Sequence, residues 1–193
     1  MKAIRHPLLG LTPTKRALVF VGALVFGFVL WYALQRLGAP LVRPESPWGI
    51  VSLQFANTVE RSQEIIGSWD KSARDNAQSG LLLDFLFPVC YSTALTIVCF
   101  WAASLFRERG YWKTGGLASL VAWAQWPAAA SDYVENIALW MQLRGPIADP
   151  WPRIAFVCAT IKFLLVAAAL CMLIAALIVW AFRIRVRPAL PPT

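Results

Sequence analysis

The chain has 193 residues, 59% of them hydrophobic and ten of them tryptophan, with a mean hydropathy of +0.58 and a formal charge of +8. A soluble domain of this length has no core large enough to hide so much apolar surface, so the composition points to an integral membrane protein. The positive charge does not point to nucleic acid: Lys15, Arg16, Arg107, Arg109, Lys113, Arg183, Arg185 and Arg187 all flank apolar segments, as cytoplasmic residues do.

The first apolar segment covers about residues 17–37 and is long enough to cross the hydrocarbon as a helix, which takes about 20 residues. Lys2, Arg5, Lys15 and Arg16 precede it like the positive region of a signal peptide. The apolar stretch is long for that role, however, and no A-x-A cleavage site follows, so it reads as an uncleaved anchor.

Residues 38–80 form a loop too long to be a simple connector. Pro40, Pro44 and Pro47 predict an irregular start. Asn57 and Glu60 have capping-box spacing, which predicts the start of a helix there. Val59, Ile66 and Trp69 then share one face, with Ser62 between them and charged residues around the rest. This predicts an amphipathic helical segment lying on the outer surface or capping the bundle.

Three more apolar segments follow, at about residues 81–106, 114–141 and 154–182, each long enough to span. Basic residues concentrate at the amino terminus, in loop 107–113 and at the carboxyl terminus. By the positive-inside rule both termini and that loop are cytoplasmic, and loops 38–80 and 142–153 face outside. Trp31, Trp48, Trp69, Trp112, Trp140, Trp151 and Trp180 fall near the expected interfaces, as an aromatic belt would. Cys90, Cys99, Cys158 and Cys171 lie inside apolar segments without CxxC spacing and read as small buried hydrophobes. With His6 as the single histidine, neither a histidine-rich metal centre nor paired-histidine haem ligation is available within the chain, so no cofactor or metal is expected.

The charges inside the apolar segments locate a candidate site. Asp132, Glu135 and Asn136 are spaced i, i+3, i+4 on the third span, with Gln125 on the same stripe. Asp84, Pro88 and Tyr91 share a face of the second, and Cys158, Lys162 and Ala169 share one of the fourth. At about 1.5 Å per residue, Asp132 and Lys162 each lie roughly 12 Å from the outer ends of their helices. All four ionisable groups thus fall in the outer half, where they can converge. Such charges cost several kcal/mol in lipid unless paired or neutralised. Pro88 leaves the Asp84 carbonyl without its helical donor, and Pro127 does the same for Trp123, so a kink or polar pocket is expected at each.

The stretch Leu83-Asp84-Phe85-Leu86-Phe87-Pro88 with Tyr91, the stretch Ser131-Asp132-Tyr133-Val134-Glu135-Asn136, and Ile161-Lys162-Phe163 resemble a group of small bacterial four-helix membrane proteins. So do Leu53-Gln54-Phe55-Ala56 and Gly67-Ser68-Trp69 in the outer segment. The likeness spans roughly residues 50–170. It implies the architecture and no activity, since the group is uncharacterised.

The expectation is therefore one all-α membrane domain over residues 1–193, with four transmembrane helices in one bundle, in the inner (plasma) membrane. Its candidate polar cluster is Asp84, Tyr91, Asp132, Glu135, Asn136 and Lys162, and its first partner is the lipid bilayer. That cluster either stabilises the bundle or binds a small ligand or cation. The alternatives are an intramembrane acid/base enzyme on a lipid-soluble substrate, a proton- or ion-coupled carrier component, and an accessory or assembly subunit recognised through the outer segment Trp48–Trp69. No nucleophile–base pair or phosphate loop is visible, which weakens the enzyme reading.

Overall fold

The computed structural model describes residues 6–183, which form seven α-helices and no sheet. Lys2 and Arg5 of the amino-terminal basic flank, and Arg185 and Arg187 of the carboxyl-terminal one, lie outside the described residues. Helix α1 spans Pro13–Gly38. Thr12 caps it by accepting a hydrogen bond from the Lys15 N–H at 3.4 Å, and Pro13 suits the first helical position because its missing donor would be unpaired there anyway. Of its residues only Gly27 and Leu30 are buried.

Three short helices follow: α2 (Ile50–Gln54), α3 (Val59–Ser68) and α4 (Lys71–Asp84). The predicted single amphipathic segment is thus a three-helix cap. Helix α3 starts one residue later than the capping-box spacing implied. Thr58 caps it, accepting from the Arg61 N–H at 3.2 Å, while Asn57 takes a left-handed φ of 61° in the turn before it. The hydrophobic core of the cap joins Leu41, Leu53, Ile65, Ile66 and Leu81 to Ala138, Leu139 and Ala155 of the long helices beneath. Trp69 is a correction to the aromatic belt: it is 1% exposed at the centre of this core. Its indole N–H donates to the Leu41 carbonyl at 2.9 Å and to Ser46 Oγ at 3.0 Å. Burying a side chain of that size removes on the order of 200 Å² from water, worth about 5 kcal/mol.

Helix α4 ends at Asp84 and α5 runs Phe87–Glu108, so the second apolar segment is not one helix. The break at Phe85–Leu86 falls where Pro88 denies the Asp84 carbonyl its donor. In consequence Asp84 does not share a helical face with Pro88 and Tyr91, as the spacing had suggested. It reaches the same region from the helix before.

Helix α6 (Trp112–Arg144) packs against α5 and against α7 (Trp151–Ala181). Pro127 sits inside α6 without ending it. Helices α5 and α6 approach closely at Gly115, where an added Cβ would lie 2.8 Å from Arg107 Cγ and 3.0 Å from the Ala103 carbonyl oxygen. Arg107 closes that end, donating to Ser119 Oγ at 2.7 Å and to the Gly115 carbonyl at 3.2 Å. Further along the seam Thr96 Oγ1 donates to the Ala122 carbonyl at 3.2 Å. Helix α1 packs on α4 and α5 and scarcely meets α7, so an apolar groove lined by Phe20, Trp101, Leu173 and Leu177 runs between them.

By length and composition three helical stretches can cross a membrane: Pro13–Leu41, Phe87–Glu108 and Trp151–Ala181. Helix α6 has the length but is less apolar, because Gln125, Asp132, Glu135, Asn136 and Gln142 occupy its packed face.

The segment before α1 folds back on the long helices. Arg16 donates to the carbonyls of Leu8, Leu9 and Leu11, each at 3.2 Å, and so closes the turn. This places His6, 2% exposed, against Phe100 and Trp123, with the Trp126 indole N–H donating to its Nε2 at 2.9 Å.

Candidate functional site

The polar stripe of α6 faces inward. Asp132 is 2% exposed, and Glu135, Asn136 and Gln125 are fully buried. Opposite them α7 contributes Lys162, 7% exposed about three turns from the start of its helix. Its Nζ lies 2.8 Å from Asp132 Oδ1, 2.9 Å from Glu135 Oε1 and 2.7 Å from Glu135 Oε2. The i, i+3 spacing sets the two carboxylates side by side, so one ammonium serves both. The Phe163 ring adds a cation–π contact, with Nζ 4.9 Å from its centroid. In this low-dielectric setting the attraction is strong but offset by desolvation, so the arrangement ties α6 to α7 most clearly by what its loss would leave: unpaired buried charge. About two turns before Asp132 on α6, Gln125 Nε2 donates to the Leu165 carbonyl of α7 at 3.2 Å, a second polar tie across the same seam.

The other candidates surround this triad. Tyr91, from α5, lies beside Asp132, and its buried hydroxyl has no hydrogen-bond partner. Asn136 lies beside Asp84, yet neither of its amide atoms meets hydrogen-bond geometry. Asp84 forms no ion pair among the described residues, so Lys162 is shared by Asp132 and Glu135 alone. With all groups ionised, three carboxylates against one ammonium leave a formal charge of −2.

The cluster forms one end of a cavity of about 360 Å³. Asp84, Tyr91, Asp132 and Lys162 line it directly, while Glu135 and Asn136 are packed behind. Leu34 and Leu37 of α1 form one wall, Phe163 and Val166 of α7 the other, and Ile50 and Val51 of α2 part of the roof. Because α1 and α7 scarcely touch, the cavity lies across the gap between them. Two polar residues outside the predicted cluster also line it, Gln54 and Asn76. Gln54 is 6% exposed and its Oε1 has no partner. Its only sequence signal was its place in the Leu53–Ala56 stretch; nothing in its spacing could pair the cap with the long helices. Tyr133 stands apart from the site, stacked on Phe85 at 6.0 Å.

Among the described residues no group of three His, Cys, Asp or Glu side chains is arranged to hold a metal ion. The chain matches no protein-family model, no curated protein and no solved structure, so the functional reading rests on this geometry.

Proposed function

We propose that the protein is a four-span inner-membrane protein that binds a small amphiphilic molecule in the cavity between α1 and α7. The spans are α1, α5, α6 and α7, in one bundle capped on the outer side by α2–α4. Helix α6 qualifies by the sidedness of its surface: its exposed residues include Leu117, Leu120, Trp123, Trp126, Val134, Ile137 and Met141, while Gln125, Asp132, Glu135, Asn136 and Gln142 are buried and Lys113 and Arg144 are exposed only at its ends. That is the reverse of a water-facing helix and suits lipid. Basic residues around the α5–α6 turn support a cytoplasmic placement of that end and of both termini. We include in this reading membership of the group of small four-helix bacterial proteins.

The observation that carries the ligand reading is the cavity itself, apolar along its walls and charged at one end. Ligand sites have this composition: apolar area supplies affinity and a few converging polar groups fix orientation. The gap between α1 and α7 supplies an entry for a lipid-soluble molecule. Charges held only to stabilise the bundle would not need an adjoining space.

The test is photolabelling in phosphatidylcholine nanodiscs with an uncharged long-chain alcohol bearing a diazirine, followed by peptide mapping. Labelling concentrated on residues 34–51 and 163–166, and suppressed by filling the cavity with Val51→Trp, supports the reading. Uniform labelling of all lipid-facing helices, unchanged in Val51→Trp, overturns it.

A further inference from the structure

The cavity's charged end carries more negative than positive groups, and this bears on what it binds. Resting on the ligand reading above, we infer that the occupant is a cationic amphiphile, an apolar body with a protonated amine, whose head group pairs with Asp84. Three observations converge. Lys162 is engaged by Asp132 and Glu135, so the cavity's cation is already committed. Asp84 faces the same cavity with no ion pair of its own. The same cavity is lined by two residues with acceptors that lack donors: the Gln54 Oε1 and the Tyr91 hydroxyl oxygen, both buried and unpartnered.

An ammonium brings what these groups lack. It supplies one positive charge beside Asp84 and up to three N–H donors, for the carboxylate and for the acceptors it meets in the cavity. A carboxylate head would add a like charge to a cluster already in negative excess. A bare inorganic cation would satisfy the charge but leave the Leu34, Leu37, Phe163 and Val166 walls without a partner. The walls require an apolar body, and the charged end requires a donor-rich cation.

The experiment uses the full-length protein in phosphatidylcholine nanodiscs. Dodecylamine, dodecanol and dodecanoate compete against the diazirine alcohol, in wild type, Asp84→Asn and Asp84→Glu, each normalised for its measured partition into the bilayer. One charge-assisted pair predicts that the amine competes about ten-fold better than the alcohol in wild type, and the carboxylate worst. The preference collapses in Asp84→Asn and survives in Asp84→Glu, which keeps the charge. Equal competition by amine and alcohol, or an amine preference that persists in Asp84→Asn, overturns the inference while leaving the cavity reading in place. Failure of the label to map to the cavity defeats both. Thermal unfolding of each variant shows whether a lost preference is only lost structure. If Asp84→Asn does not fold, Asp84→Glu and Gln54→Leu carry the comparison: retention of the amine preference in the first and its reduction in the second is expected, and the reverse pattern overturns the inference.

Discussion

Lys162 Nζ stands 2.8 Å from Asp132 Oδ1, a bond that joins α7 to α6 deep within their packed faces. Glu135 shares the same ammonium, so the three charges form one unit. Replacing Lys162 with methionine strands two carboxylates. The expected loss is about 3–5 kcal/mol, seen as an early transition in thermal unfolding in detergent. The triple variant Lys162→Met, Asp132→Asn, Glu135→Gln recovers much of that loss, because its penalty was uncompensated charge. Equal instability of the single and triple variants would show that the charges themselves hold the helices.

Gly115 and Gly116 are neighbours with opposite surroundings. A methyl group on Gly115 meets Arg107 and the Ala103 carbonyl, whereas one on Gly116 meets nothing within 4 Å. Gly115→Ala is expected to cost about 1–3 kcal/mol by forcing α5 and α6 apart. Gly116→Ala is expected to be neutral or to stabilise by up to about 1 kcal/mol through helix propensity. Unfolding midpoints of the pair decide this without a further control.

Trp69 secures the cap through Leu41 and Ser46. Ser46 Oγ also donates to the Leu41 carbonyl, at 2.6 Å, so that acceptor keeps a partner if the indole is lost. Trp69→Phe should therefore cost only about 1 kcal/mol beyond its packing loss, while Trp69→Ala should cost about 3–5 kcal/mol. Limited proteolysis within residues 38–70 should accelerate strongly in the alanine variant and little in the phenylalanine one.

His6 predicts a pH dependence of its own. Burial lowers its pKa from the ordinary 6.5. The unfolded chain therefore takes up a proton first as pH falls, and the stability due to neutral His6 is present above about 6.5 and lost below it. Protonation also ends acceptance from Trp126, since Nε2 then carries a hydrogen. Arg16, in the same turn, is engaged by the Leu8, Leu9 and Leu11 carbonyls. Wild type should lose more stability than His6→Phe between about pH 7.5 and pH 5. Parallel profiles for the two proteins would show that His6 contributes nothing to the dependence.

Much of this molecule was legible as a linear pattern. Apolar length marked α1, α5 and α7, since a run of that size has no other place to go. The i, i+3, i+4 spacing of Asp132, Glu135 and Asn136 put them on one helical face, because 3.6 residues complete a turn whatever the context. Pro88 marked a disturbed backbone, for it lacks a donor wherever it stands.

Tertiary structure decided what meets that face. Lys162 lies 27 residues from Glu135 in the chain, and only the packing of α7 on α6 brings them to hydrogen-bond distance. The break before Pro88 moved Asp84 onto a different helix from Tyr91, yet both reach the same cavity, a coincidence of space that no periodicity encodes. Trp69, Gln54 and His6 show the same limit. Helical spacing put Trp69 on a face with Val59 and Ile66, and its place near an expected interface put it in the aromatic belt; Gln54 lay in the outer loop and His6 before the first span. All three are buried, Trp69 against Leu41 and His6 against Phe100 and Trp123. Local spacing is set by the geometry of one helix; burial and charge pairing are set by which helices pack together, and that is a property of the whole fold.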